Sequence, residues 1–212
     1  MEKETARIEA FSDGVFAIAV TLLVLELHVP AFDVGKKPAM LLTELKAEWP
    51  GYIAFVISFF SIFIIWVNHH KVFKQIYRRD TGLMFANGLV LFLVSLVSYP
   101  SALLARFYLS ESKQVSVTIY TGLFLLINIA FNLLWYQAVK GKDLLRPGIN
   151  EQAIKQLRDN FLYGFPTYLA AFIISFFFPD AAILICILLW VFWAISSKKI
   201  NFTDKTDHPN PK

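Results

Sequence analysis

The run ARIEAFSDGVFAIAVTLLVLEL, residues 6–27, decides how the rest of the chain is read. From Ile8 to Leu27 it is 20 residues long, enough at about 1.5 Å per residue to cross a hydrocarbon core of about 30 Å. Asp13 sits a few residues inside it. An ionised carboxylate deep in a bilayer costs on the order of 2.5–3.5 kcal/mol, so it needs a partner or a wet cavity. The run is therefore expected to be a helix held inside an assembly. With about 100° between successive residues, Ile18, Leu22 and Leu25 share one stripe. Thr21 lies beside it, Phe11 and Gly14 extend it, and Asp13 points roughly the other way. Periodicity alone favours an ordinary bundle seam. The sharper alternative is a pore wall whose apolar constrictions gate by excluding water.

The composition places the chain in a membrane. Hydrophobic residues make up 57%, charged residues 17%, and phenylalanine alone numbers 21, against roughly half apolar and a quarter charged in soluble domains. Mean hydropathy is +0.55. The single cysteine, Cys186, allows no intrachain disulfide. The net charge of +4 comes from the loops and reads as an orientation signal, with no nucleic-acid partner implied. Glu2, Glu4 and Glu9 and the position of Ala17-Ile18-Ala19 within the apolar run argue against a cleaved signal peptide.

Working outward, the pattern predicts an all-α polytopic membrane protein with six transmembrane helices per subunit and no re-entrant pore loop. The spans fall at about 8–27, 51–70, 82–105, 115–139, 160–178 and 181–197, within one channel-sized domain over 1–200. Pro38 is expected to start a short surface helix bearing Leu41, Leu42 and Leu45, anchored by Trp49. Asn87 and Pro100 lie in the third span, Asn128 and Asn132 one turn apart in the fourth, and Pro166 is an expected kink in the fifth. Residues 201–212 form a polar tail expected to be disordered. The N-terminus, the 2–3 and 4–5 loops and the tail carry 15 Lys and Arg, and the opposite loops carry 5. This asymmetry puts both termini in the cytoplasm of a multi-pass cell-membrane protein.

Catalytic machinery is not expected. Ser12 and Asp13 are neighbours on one helix and diverge, and no nucleophile motif or phosphate loop occurs. His69 and His70 project about 100° apart and cannot share a metal from a regular helix, so no metal and no cofactor is expected. They are expected instead to join Trp66, Asn68 and Asn87 in a polar network that satisfies Asp13 and ties the first three helices together. The carbonyl filter sequence of tetrameric potassium channels is missing, as is an arginine ladder. Glu26 and His28 would stand near an external mouth, where copies of Glu26 could concentrate cations; an ordinary interfacial carboxylate is the equal alternative. No internal repeat is evident, and one six-helix bundle leaves little room for an ion path among its own helices. A channel of this kind would conduct along a symmetry axis between subunits.

Arg7, Phe11, Ser12 and Asp13 form the pattern Arg-x-x-x-Phe-Ser-Asp, which resembles the signature of the lysosomal potassium channel family, transmembrane protein 175, and its prokaryotic homologues. The paired histidines, the six spans and the length are similar too. The resemblance implies a cation channel that favours potassium, assembled as a homotetramer in the bilayer, with the first helix of each subunit lining the pore. It implies a constriction at Ile18, Leu22 and Leu25, a link between Thr21 and selectivity, and a structural role for Arg7, Phe11, Ser12 and Asp13. The expected mechanism is passive conduction of potassium through an apolar neck. The alternative is a proton-coupled or ion transporter using Asp13 with His69 or His70; no inverted repeat or broken helix pair supports it.

Overall fold

The computed structural model describes residues 4–30, 38–140, 144–147, 149 and 151–196. The proposed tail at 201–212 lies outside the described residues. Among them the chain is all-helical: α1 Ala6–Leu22, α2 Pro38–Ala47, α3 Trp49–Gln75, α4 Thr81–Ser95, α5 Ser98–Phe107, α6 Lys113–Lys140, α7 Glu151–Ser175 and α8 Pro179–Ser196. Among the described residues four stretches are long and apolar enough to cross a membrane: Ala6–Glu26, Trp49–Gln75, Thr81–Phe107 and Lys113–Lys140. The apolar part of α8, Pro179–Trp193, is shorter. The N-terminal part of α7 carries Glu151, Lys155, Arg158 and Asp159, so its apolar portion is limited to the second half.

The departures from the sequence reading have local causes. The first span ends in a 3₁₀ turn, Leu23–Glu26, in place of a last α-turn, a common tightening at helix ends. The third span is broken into α4 and α5. Pro100 has no N–H, and its ring clashes with the carbonyl four residues back, that of Leu96. The chain tightens there: Leu96 and Val97 N–H donate to the carbonyls of Leu93 and Val94, and the Leu96 carbonyl is taken by Tyr99 N–H. The second span, α3, continues past His70 through Lys71 and Lys74 to Gln75. The expected lead-in and fifth span merge into one helix, α7, with Pro166 inside it.

Helix α6 is the central post, packing against α4, α5, α7 and α8, while α1 leans on α3 and α4. Tyr120, Leu134 and Ala138 of α6 are fully or almost fully buried. Helices α6 and α7 approach closely at glycines. A Cβ built on Gly164 would stand 2.6 Å from Asn128 Nδ2 and 3.0 Å from Trp193 Cζ2. Asn132 Nδ2 donates to the Asn128 carbonyl at 2.9 Å and to Phe161 O across the junction at 3.2 Å. Replacing Gly164 with alanine is expected to destabilise the fold by about 1–3 kcal/mol, the usual cost of overpacking. Gly88 has nothing within 4 Å of its Cβ position, so Gly88→Ala should leave the melting temperature in detergent nearly unchanged.

One side of the bundle is laced by backbone. Tyr77 N–H donates to Leu144 O at 2.8 Å, Arg146 N–H to Gln75 O at 2.8 Å and Glu4 N–H to Tyr77 O at 3.2 Å. Thr5 opens α1 with its hydroxyl donating to Glu9 at 2.6 Å. The other side is clipped by side chains. Lys113 Nζ reaches both Asp180 oxygens, at 2.9 and 3.1 Å, and Tyr108 O–H donates to Asp180 at 2.7 Å. The Lys113 and Tyr108 hydrogen bonds hold the Asp180 carboxyl below its ordinary value. Burial, and then the bond to Asp180, push the Tyr108 phenol up to about 12. The sign follows in each case. A depressed carboxyl contributes stability above its unfolded value, about pH 4, and loses it as pH falls through the folded one. A raised phenol contributes below about pH 10 and loses it as pH rises toward the folded value. Stability should thus be flat through neutral pH with respect to this clip. Asp180 is exposed, so Asp180→Asn should cost no more than about 1 kcal/mol and should reduce the acid-side slope of a melting-temperature profile.

Candidate functional site: the two faces of the first helix

Helix α1 has one buried face and one bare face. Ile8, Ser12, Phe16, Ala19 and Leu23 repeat at helical spacing and are buried. On the other side Phe11 is 67% exposed, Ile18 60%, Leu22 44% and Leu25 74%, with Gly14 and Thr21 also exposed. An apolar face this open within one subunit needs lipid or another chain to cover it. Thr21 turns its hydroxyl proton inward, to the carbonyls of Ala17 and Ile18 at 3.0 Å each. Its side chain is therefore satisfied without any tertiary partner. Glu26 and His28 lie exposed beyond the stripe.

The buried face carries a directional hydrogen-bond chain. Ser12 Oγ–H donates to Ile8 O at 2.8 Å, and Asn87 Nδ2 donates to Ser12 Oγ at 3.0 Å. His69 Nε2 lies 2.7 Å from Asn87 Oδ1. With the amide oxygen as acceptor, His69 must carry its proton on Nε2, the tautomer that completes the chain. Ser12 is 0%, His69 1% and Asn87 3% exposed, so the chain is dry. It joins α1, α3 and α4. The His69 ring stacks on Phe73 at 4.5 Å and tilts against Phe16 at 5.2 Å, which fixes its plane.

Asp13 stands apart from that chain. Its carboxylate accepts from Trp66 Nε1 at 2.8 Å and is otherwise exposed. His70 is exposed and lies against the Trp66 ring at 6.2 Å. Arg7 and Phe11 are exposed on the bare side, away from the buried chain. Asn68 is half-buried and faces a cavity behind α3. Among the described residues no three His, Cys, Asp or Glu side chains come together to hold a metal.

A second buried cluster escaped the sequence reading. Ser101 Oγ–H donates to Val97 O at 2.7 Å, so it accepts from Ser58 Oγ at 2.6 Å, and Ser58 in turn lies 3.3 Å from Tyr120 O–H. These hydroxyls bind α3, α5 and α6. Isolated serines in apolar runs give no pattern that marks them as partners.

The family pattern described as "Endosomal/lysosomal potassium channel TMEM175" matches residues 7–97. A potassium channel of Chamaesiphon minutus is 40% identical over 196 residues, 92% of this chain and 96% of that protein. The chain belongs to the TMEM175 family. A potassium channel of Streptomyces collinus is 43% identical over 76% of this chain and 77% of its own length. The crystal structure of the Chamaesiphon minutus TMEM175 homologue, titled a lysosomal potassium-selective channel homologue, superposes with a TM-score of 0.82. It is 39% identical and is matched over 91% of this chain and 97% of that one. The human endosomal/lysosomal proton channel TMEM175 is 36% identical over 40% of this chain and 18% of its own length. The TMEM175 family comprises cation channels and not enzymes, and this chain is accordingly a multi-pass membrane channel protein. The sequence matched by the family pattern contains α1, α3 and α4, the three helices that the Ser12–Asn87–His69 chain joins.

Proposed function

We propose that four copies of this chain form a potassium-favouring channel whose central axis is lined by α1 of each subunit. The observation that carries this reading is the bare apolar stripe of α1, set opposite a face packed by Phe16, Ala19 and Leu23. Ile18, Leu22 and Leu25 form the constriction, Thr21 faces the axis among them, and Glu26 gathers cations at the external mouth. The Ser12–Asn87–His69 chain holds α1 against its own subunit, so that the stripe is presented and not swallowed. Conduction is passive. An apolar neck cannot replace the hydration shell of an ion, so it closes by drying and opens by wetting. Six spans, including the shorter α8, place both termini in the cytoplasm of the cell membrane. Ion-coupled transport through Asp13 has less support, because Trp66 engages Asp13 while Asn87 engages His69.

Leu22→Cys tests the lining. Cys186 is buried, so the parent channel should be insensitive to a water-soluble thiol reagent. The Leu22→Cys channel in proteoliposomes should lose most of its potassium flux on modification, about tenfold or more, since each 1.4 kcal/mol of added barrier is a factor of ten. A modified channel with undiminished flux would remove α1 from the pore.

A further inference from the structure

Behind α3 as seen from α1, the helices α3, α6, α7 and α8 line a half-open cavity of about 50 Å³. Its wall is mostly isoleucine and aromatic side chains, interrupted by a few polar groups: Ser61 and Asn68 from α3, Asn128 from α6 and Tyr168 from α7, with Cys186 and Trp190 from α8. The indole nitrogen of Trp190 is buried and has no hydrogen-bond partner in the protein among the described residues. An indole N–H is a donor only, and leaving one dry and unpaired costs a substantial part of a hydrogen bond. The space beside the Trp190 ring exceeds the roughly 10–15 Å³ that one water requires, and the amides and hydroxyls around that space supply the two to four partners that a buried water needs. An engineered dry cavity that holds benzene is about three times larger and lined by apolar side chains alone.

We infer that this cavity is a hydration site holding more than one ordered water, with Trp190 Nε1–H donating into the cluster. The waters act as polar mortar between α8 and the rest of the subunit. Elsewhere helix α8 is held by the Lys113 and Tyr108 bonds to Asp180 at its start, by buried Ala182, Ile183 and Leu189, and by rings, Trp190 on Phe60 at 5.1 Å and Trp193 on Phe161 at 6.2 Å. This site is separate from the axial stripe and stands whether or not α1 lines the pore.

The direct test is an experimental structure of the full-length channel at a resolution that orders internal water. Density within hydrogen-bonding distance of Trp190 Nε1, continuing to the Asn128 or Asn68 amide, is expected. A cavity without density, or one filled by an acyl or detergent tail, overturns the inference. An isosteric pair at Cys186 supplies a second reading. In a wet cavity Cys186→Ser should melt within a degree or two of the parent, because water meets the new hydroxyl. In a dry one the serine should melt several degrees below Cys186→Ala, and that result also counts against the site.

Discussion

Asn87→Leu should be the most damaging single substitution in the network behind α1, lowering stability by about 2–4 kcal/mol. The amide it removes serves two helices at once, accepting from His69 Nε2 at 2.7 Å and donating to Ser12 Oγ at 3.0 Å. Leucine leaves the His69 N–H without an acceptor, and His69 is 1% exposed, so water cannot take the vacated place. An orphaned buried polar group costs about 1–3 kcal/mol, and the lost Ser12 bond adds about 1 kcal/mol. Trp66→Phe is the informative contrast. It also deletes one hydrogen bond to α1, the 2.8 Å contact with Asp13. The Asp13 side of that bond is exposed in the subunit, and solvent can replace the indole, so a loss under about 1 kcal/mol is expected. Melting of the detergent-solubilised channel, followed by size exclusion, checks both. If Trp66→Phe proves as costly as Asn87→Leu, Asp13 is dry in the assembled channel. If Asn87→Leu is harmless, the chain of bonds contributes nothing that packing of Phe16 against His69 does not already supply.

The division between what the sequence announced and what it hid follows from the range of the interactions. Periodicity is local, so the stripe of Ile18, Leu22 and Leu25 could be drawn from spacing alone, and those side chains are bare on the folded subunit. Proline chemistry is local too, yet the strength of its effect is not. Pro100 broke the third span at Leu96, whereas Pro166 sits within a helix assigned without interruption from Glu151 to Ser175. The same residue type thus ends one helix and sits within another. Of the expected polar network His69 and Asn87 are joined, but they reach α1 through Ser12, while Trp66 bonds Asp13 separately and His70 is exposed. The sequence points to Asp13 as the buried group in need of partners, whereas the structure buries Ser12 one position earlier and leaves Asp13 exposed with Trp66. A shift of one residue turns a helix by about 100°, so a motif that names both Ser12 and Asp13 cannot say which faces inward. The Ser58–Ser101–Tyr120 cluster and the Gly164–Asn128 approach were invisible for a simpler reason. Each joins residues tens of positions apart that carry no unusual spacing.

Ile18→Asn should raise potassium flux about tenfold or more and lower the preference for potassium over sodium. Ile18 is 60% exposed on a subunit and stands one turn before Leu22 on the same stripe. In the proposed tetramer, four isoleucines around the axis would present no oxygen or nitrogen to a passing ion, and a narrow apolar ring holds water poorly. Its barrier is the cost of stripping hydration without compensation. An asparagine at each of the four positions supplies a carbonyl oxygen and an amide that keep the ring wet, and about 1.4 kcal/mol off the barrier is a factor of ten in rate. Selectivity should fall with the same change. A tight apolar ring discriminates by how much hydration each ion must shed, and a wet ring demands less shedding of both. Ile18→Phe should act in the opposite sense and reduce flux, since a bulkier ring narrows the neck without adding a polar atom. The measurement is potassium and sodium uptake into proteoliposomes at equal amounts of assembled channel, with Gly88→Ala as the reference for an α4 change that meets no neighbouring atom within 4 Å in the subunit. Ile18→Asn with the parent's flux and the parent's ion preference would place the resistance elsewhere, and Leu22 or Leu25 would then have to carry the constriction alone.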